Sequence, residues 1–131
     1  MSQDSVIDIK EDWSIFEMME GKNPSDIGLI TLPGLQARIK SLLKKEYDSF
    51  QNDWNEETPL IVEDRILFFS GCQRGDCKAN KYVVILDVVD NNINIINFKY
   101  GSVKSWEERS IIGLSSSLLE HFEKVRVEQG L

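Results

Sequence analysis

The segment 81–89 constrains the fold more than any other part of the chain. Within it, Val83, Val84, Ile85 and Leu86 form an uninterrupted apolar run in which β-branched side chains predominate. Successive side chains of a strand point to opposite faces of a sheet, so a strand with this run buries both of its faces. The segment therefore predicts a central strand that is covered on both sides.

The neighbouring segments predict the rest of an antiparallel sheet. The predicted strands are residues 60–62, 65–69, 81–89, 93–100 and 103–106. Residues 63–64 read as a tight turn between the first two strands. Residues 90–92 contain Asn91 and Asn92, which tolerate positive φ and therefore predict a hairpin. The order of these segments predicts a meander of about five strands.

Apolar residues at helical spacing predict helices before and after the strand segments along the chain. Trp13, Phe16 and Met19 predict a short helix over residues 12–19 that docks one aromatic face. Residues 21–26 and 32–34 are predicted to interrupt the helical structure. The clearest predicted helix covers residues 35–50, with its cations on other faces than its apolar stripe. That stripe consists of Leu35, Ile39, Leu42, Leu43, Tyr47 and Phe50.

A last helix is predicted near the end of the sequence. Its apolar stripe consists of Leu118, Phe122 and Val125. Ser117 and Glu120 have capping-box spacing at its start, and Gly130 suits a helix stop. Together these elements predict one α+β domain over residues 1–131, an antiparallel meander flanked by helices. Residues 1–10 are polar and predict a loosely ordered N-terminal segment.

The charge of the chain excludes some classes of partner. With 22 acidic and 15 basic residues, the formal net charge is −7. An acidic surface repels nucleic-acid backbones and anionic membranes, and it attracts cationic proteins. The first residues contain no signal peptide, and no stretch is apolar enough to span a membrane. We therefore expect a cytoplasmic protein, or a periplasmic one if a signal peptide has been removed.

The sequence contains no recognisable catalytic constellation, which predicts a protein that is not an enzyme and uses no cofactor or metal. The single histidine, His121, is far along the chain from Cys72 and Cys77. A nucleophilic pair between a cysteine and His121 remains an open alternative. Adjacent acids are predicted to be solvated charge rather than acid–base pairs. These acids are Glu11, Asp12, Glu56, Glu57, Glu107 and Glu108.

The strongest candidate for a partner-binding site is a short loop between two predicted strands, which we call the cysteine loop. It consists of Cys72, Gln73, Arg74, Gly75, Asp76 and Cys77. The two cysteines can close a small ring if their Cβ atoms face each other, and that ring would present Arg74 and Asp76 outward at a low entropy cost of binding. The other interpretation is an ordinary loop with two reduced thiols, as expected in a cytosolic protein.

The run 68–77, followed by a strand from Lys81, resembles the Ivy family of vertebrate-lysozyme inhibitors. That family carries a Cys-Lys-Pro-His-Asp-Cys loop between two strands of an antiparallel sheet flanked by helices, and residues 35–106 fit this layout. Cys72, Asp76 and Cys77 match the loop, and the resemblance implies a disulfide between the two cysteines. Gly75 stands where the family has the histidine that enters the target's active-site cleft, and Arg74 stands where it has proline.

These observations predict an Ivy-like inhibitor that blocks a cationic enzyme with the cysteine loop. Arg74 would pair with catalytic carboxylates, or Asp76 with catalytic cations. The departures at positions 74 and 75 favour a target other than lysozyme, and the lack of a signal peptide in the sequence favours a bacterial immunity protein that neutralises a toxin. One alternative is a periplasmic lysozyme inhibitor, and another is a cytosolic adaptor that binds its partner at an apolar cleft near Trp13 and Trp54. A hydrolase that uses Cys72 or Cys77 is the remaining alternative.

Overall fold

A computed structural model describes residues 11–131 of the chain. The α-helices are α1 (Pro33–Leu43), α2 (Tyr47–Asp53) and α3 (Ser116–Glu128). The strands are β1 (Glu56–Glu57), β2 (Ile61–Glu63), β3 (Ile66–Cys72), β4 (Lys81–Asp87), β5 (Asn92–Lys99) and β6 (Ser102–Glu107). Within this range, no helix combines the length and the apolar character needed to cross a membrane. The prediction of a loosely ordered segment over residues 1–10 lies outside the described residues.

The strands form one antiparallel sheet in the order β1-β3-β4-β5-β6, and β2 also pairs with β3. β4 lies between β3 and β5, and each of its residues except Asp87 is buried. The predicted α+β class, the antiparallel meander and the central strand are all confirmed. The run of consecutive apolar residues that predicts β4 is therefore explained by burial of both faces of the sheet.

Two apolar cores lie on opposite faces of the sheet. Along β4, the side chains of Tyr82, Val84 and Leu86 belong to the larger core, together with apolar residues of α1 and α2. The alternate residues Val83 and Ile85 belong to the smaller core, which α3 covers. The predicted stripe of α3 packs there as expected, with Leu118 fully buried and the other two residues partly buried.

The N-terminal aromatic residues dock on the larger core as predicted, although the helix is shorter than expected. Trp13 is fully buried and Phe16 nearly so, while the helical segment is a 3₁₀ helix at Ser14–Met18. Met19 packs against the same core. The side chains therefore follow the predicted spacing, and the backbone winds more tightly than the predicted α-helix over residues 12–19.

The single helix predicted over residues 35–50 is wrong, because the structure divides it. α1 ends at Leu43, Lys44 has a positive φ of 55°, and the 3₁₀ helix Lys44–Glu46 leads into α2. The break redirects the chain so that Phe50 packs its ring against the rings of Trp54 and Tyr82, with centroids 5.1 Å away in both pairs. The break predicted at residues 32–34 is the start of α1 instead, since Pro33 is favourable at a first helical position.

The cations of the helix are predicted to lie on other faces than its apolar stripe, but Arg38 does not face solvent. Its side chain is buried, donates to the carboxylate of Glu108 and to Asn91, and stacks 5.0 Å from the Trp13 ring centroid. The Glu11 side chain is not fully solvated either, because its carboxylate accepts the Gly34 N–H at 2.8 Å. The prediction of solvated acids therefore fails at Glu11 and Glu108, which hold α1 against the chain segments beside it.

Two local predictions are displaced along the sequence. The β2–β3 turn has positive φ at Asp64 and Arg65, so it lies one residue beyond the predicted turn at residues 63–64. The N-cap of α3 is Ser115, whose Oγ accepts the Leu118 N–H at 3.2 Å, and not Ser117. Capping requires a serine in extended conformation before the first helical residue, and α3 begins at Ser116, which leaves Ser117 inside the helix.

Candidate functional site

The cysteine loop connects β3, which ends at Cys72, to the start of β4. The sulfur atoms of Cys72 and Cys77 form a disulfide, and the two Cα atoms are 4.9 Å apart. Cys72 is buried, whereas Arg74, Gly75 and Asp76 are exposed. The structure thus brings the predicted residues together as a small ring that is fixed at its base and presents three consecutive residues to solvent.

Backbone hydrogen bonds fix the shape of this ring. The Gln73 N–H donates to Asn80 O at 3.1 Å across the base of the loop, and the Asp76 N–H donates to Gln73 O at 3.1 Å. Gly75 has a φ of +78°, a conformation that glycine adopts without the steric cost of a side chain. A Cβ at Gly75 would meet no atom within 4 Å. Arg74 is therefore the longest side chain at the exposed tip, and the backbone beside it is open to a partner.

Asn55 fixes the position of Arg74 from outside the loop. Its Oδ1 accepts the Arg74 backbone N–H at 3.2 Å, and its main-chain O accepts from Arg74 Nη2 at 3.2 Å. Asn55 is itself fixed on the sheet, because its N–H donates to Cys72 O at 3.1 Å and the following strand β1 pairs with β3. One residue thus binds both the backbone N–H and the guanidinium of Arg74.

The base of the loop is supported by a network of polar side chains. Asn80 Nδ2 donates to Asp53 Oδ2 at 2.6 Å and to Ser49 Oγ at 3.0 Å, while its Oδ1 accepts from Asn97 Nδ2 at 2.7 Å. Ser49 Oγ also accepts from the Tyr82 hydroxyl at 3.0 Å. These bonds connect α2, the start of β4 and β5, so the point at which the loop leaves the sheet is rigid.

The end of α3 holds the other side of the loop. Gln129, which is 7% exposed, donates from Nε2 to Cys77 O at 3.2 Å. Lys81 lies at the first position of β4, and burial lowers the pKa of its ammonium group, while the nearby Glu128 carboxylate acts in the opposite direction. The loop is therefore held between Asn55 on one side and the C-terminal end of α3 on the other.

Trp54 covers the strand just before the loop. Its indole ring lies directly against Gly71, where a Cβ would overlap the ring atoms. The Trp54 Nε1–H donates to Glu57 Oε1 at 3.0 Å, and the same carboxylate accepts from the Ser25 hydroxyl at 2.9 Å. Glu57 is therefore a structural acceptor, and the prediction that it is merely solvated is wrong.

The structure does not support a thiol nucleophile. The carboxylate of Glu56 lies near both cysteines, with its Oε1 3.7 Å from Cys77 Sγ, but the sulfurs are joined to each other and neither is a thiolate. His121 is an exposed residue of α3 whose ring centroid is 6.5 Å from that of Phe68. Among the described residues, His121 has no hydrogen bond to either cysteine. The Cys–His pair, which the sequence leaves as an alternative, is therefore not assembled.

The predicted cleft near Trp13 and Trp54 is wrong at Trp13, because that side chain is completely buried. Trp54 lines a small cavity of about 140 Å³ with Phe50 and Tyr47. Trp13 instead packs under Arg38 in the larger core. Trp13 and Trp54 therefore do not line a shared cleft.

Sequence reasoning missed Asn55 and Gln129 as residues of the site. Asn55 follows α2 in a polar stretch that carries no strand pattern, and β1 has only two residues. Gln129 precedes Gly130, which signals the helix stop but not its neighbour's contact with the loop. Both residues reach the cysteine loop through tertiary structure, so no local signal marks them.

We expect Asn55→Ala to loosen the tip of the loop without unfolding the protein. Losing the Oδ1 acceptor should raise the hydrogen-exchange rate of the Arg74 amide by about five- to tenfold, as for one hydrogen bond. The matched control is Asn52→Ala, an exposed asparagine of α2 whose side chain does not contact the loop. Equal protection of Arg74 in the Asn55→Ala variant and the wild type would show that Asn55 does not hold it.

Comparison with protein families identifies the region that contains this site. The family model described as inhibitor of vertebrate lysozyme (Ivy) matches residues 34–119, which is well over half of the chain. The matched range runs from α1 to the start of α3 and includes the whole cysteine loop, whereas Gln129 lies outside it. Comparison with curated proteins and with solved structures gave no match.

Proposed function

Because the chain belongs to the Ivy family, a family of inhibitors, we propose that it inhibits a lysozyme by inserting the cysteine loop into the active-site cleft. One observation carries the proposal: a disulfide-closed ring presents Arg74 at an exposed tip while Asn55 orients that side chain. A ring that is already in its bound shape loses little conformational entropy when it enters a cleft. The family match favours this function over the toxin-immunity function predicted from sequence.

Arg74 supplies the chemistry that a lysozyme cleft requires. Glycosidases of this kind use two carboxyl groups that flank the scissile bond. A guanidinium has five N–H donors in a planar arrangement that matches carboxylate geometry, and only one Arg74 donor is used by Asn55 O. In the proposed complex, the remaining donors bind a catalytic carboxylate and the ring excludes substrate. The role that the family gives to a histidine at position 75 would then pass to the neighbouring residue.

The charge of the whole protein supports a cationic target. A net charge of −7 speeds encounter with a basic enzyme, and salt weakens this effect as the Debye length shortens. The loop itself adds a cation at Arg74 and an anion at Asp76, so steering comes from the rest of the surface. A disulfide persists where thiols are not kept reduced, and this supports the proposal that the inhibitor acts in an oxidising compartment.

In the test, a vertebrate lysozyme is titrated with the oxidised protein. The remaining lysozyme activity is measured as the rate of cell-wall lysis. We expect stoichiometric loss of lysozyme activity at micromolar protein, and at least a 30-fold weaker inhibition constant for Arg74→Ala, as for an interface hot spot. The control is Lys40→Ala, which removes the same charge from an exposed position of α1. Full lysozyme activity at micromolar protein with an intact disulfide would contradict the proposal.

A second candidate function rests on the residues at the tip. Arg74 and Gly75 replace the proline and histidine of the family's loop, which favours a target other than a vertebrate lysozyme. The candidate is an immunity protein that neutralises a cationic toxin. The same titration against basic nucleases separates the two functions: loss of nuclease activity while lysozyme stays active would favour the toxin target, and the reverse result would exclude it.

A further inference from the structure

The β5–β6 hairpin lies at the same end of the sheet as the cysteine loop. In an antiparallel meander, alternate connections share one end, and here the β3–β4 and β5–β6 connections do so. Cys72 pairs with Lys81, Lys81 with Phe98, and Phe98 with Val103 across four strands. Three strand spacings separate the outer residues, or about 14 Å. The tip of the hairpin therefore stands beside the cysteine loop on the surface that would face a bound enzyme.

That tip carries an aromatic residue in an unfavourable conformation. Tyr100 has a φ of 49° and the following Gly101 a φ of 83°. Tight hairpin turns with two positive φ values favour Asn, Asp or Gly, and a bulky residue at the first position is strained. The Tyr100 side chain is 77% exposed, and among residues 11–131 it has no hydrogen bond, ion pair or ring contact. Nothing within the described part of the fold compensates for the strain.

The β2–β3 turn offers a comparison within the same sheet. Asp64 and Arg65 also have positive φ, but Arg65 forms an ion pair with Glu17 at 3.1 Å. That turn therefore has a contact within the protein that accounts for its long side chain. Tyr100 has no equivalent contact, and strain of this kind is concentrated at functional positions.

We infer that Tyr100 is a second contact with the target and packs on the rim of the substrate cleft whose centre the cysteine loop fills. The inference rests on the proposed function. Polysaccharide-cleaving enzymes bind several sugar units, so the cleft extends beyond the catalytic carboxylates and offers surface to a residue on the hairpin beside the loop. Tyrosine suits this position because its ring buries a large area at low entropy cost and its hydroxyl replaces a sugar hydroxyl as a hydrogen-bonding group.

The decisive variant is Tyr100→Asn, because stability and binding are expected to change in opposite directions. Asparagine is favoured at this turn position, so the thermal midpoint should rise by about 2–4 °C. Inhibition of a vertebrate lysozyme should weaken by about tenfold. Tyr100→Phe should retain most of the inhibition. The matched control is Val89→Asn, another exposed apolar residue, which lies in the β4–β5 connection at the opposite end of the sheet.

The outcomes separate this inference from the function on which it rests. If the wild-type protein leaves lysozyme active, both the proposed function and the inference fail. If the wild type inhibits and Tyr100→Asn inhibits equally well, only the inference is overturned. If Tyr100→Asn lowers both the thermal midpoint and the inhibition, Tyr100 has a structural role. That result would also overturn the inference.

Discussion

Gly71→Ala is expected to destabilise the protein by about 3 kcal/mol, near the upper end of the usual cost of overpacking a core. Gly71 is buried in β3, and the added Cβ would overlap the six-membered ring of Trp54. The indole cannot move aside without further loss, because its Nε1–H is bonded to Glu57 and its ring contacts Phe50 and Phe69. Urea unfolding followed by far-UV circular dichroism measures the change.

The matched control is Gly113→Ala. A Cβ at Gly113 meets nothing within 4 Å, so we expect a change within about 0.5 kcal/mol. Adding Trp54→Ala to Gly71→Ala should recover part of the loss that is specific to the clash, since the two residues are in direct contact. A Gly71→Ala protein that unfolds at the wild-type urea concentration would mean that the Trp54 ring does not occupy the observed position.

The central strands of the sheet could be predicted from the sequence because burial determines their pattern. The apolar run in β4 requires cover on both faces, and both cores provide it. The stripe of α3 is equally informative, since Leu118, Phe122 and Val125 have one side to bury and one core to enter. In these elements, local pattern and tertiary packing agree, which is the condition under which sequence patterns are reliable.

Other features follow from contacts between distant parts of the chain, and no local pattern marks them. Lys44 is an ordinary cationic residue in a helical pattern, yet α1 ends beside it, and the break accompanies the packing of Phe50 against Tyr82 in β4. Three consecutive serines precede and begin α3, so composition alone does not determine that Ser115 is the cap. Arg38 is buried because Glu108 and Asn91, which are distant in sequence, accept its hydrogen bonds.

The candidate site also has one part that the sequence predicts and another that it does not. The cysteine loop could be identified from its spacing and its resemblance to a family, and both cysteines lie where that resemblance implies. The residues that orient it are Asn55, which immediately precedes the two-residue strand β1, and Gln129, which is the C-cap of α3. Their role depends on the path of the chain in three dimensions, which no local sequence pattern encodes.

The second large effect is expected when the disulfide is removed. The double variant Cys72→Ala with Cys77→Ala opens a ring of six residues, and chain-entropy arguments give a loss of about 2 kcal/mol in unfolding free energy for a loop of this size. Alanine replaces the buried Cys72 without introducing a polar group. Under the proposed function, inhibition should weaken by more than tenfold, because the open loop must be ordered when it binds.

A reductant distinguishes loss of the ring from loss of the two side chains. Treating the wild type with a dithiol converts the disulfide to two thiols as the dithiol is oxidised, and inhibition should fall toward that of the double variant, which should itself be unaffected. Neither treatment changes the side chains of Asn55 and Gln129, which contact the loop in the oxidised protein, so removal of these residues is not what is tested. If the double variant inhibits as strongly as the wild type, those contacts alone orient Arg74 and covalent closure of the ring is not required for binding.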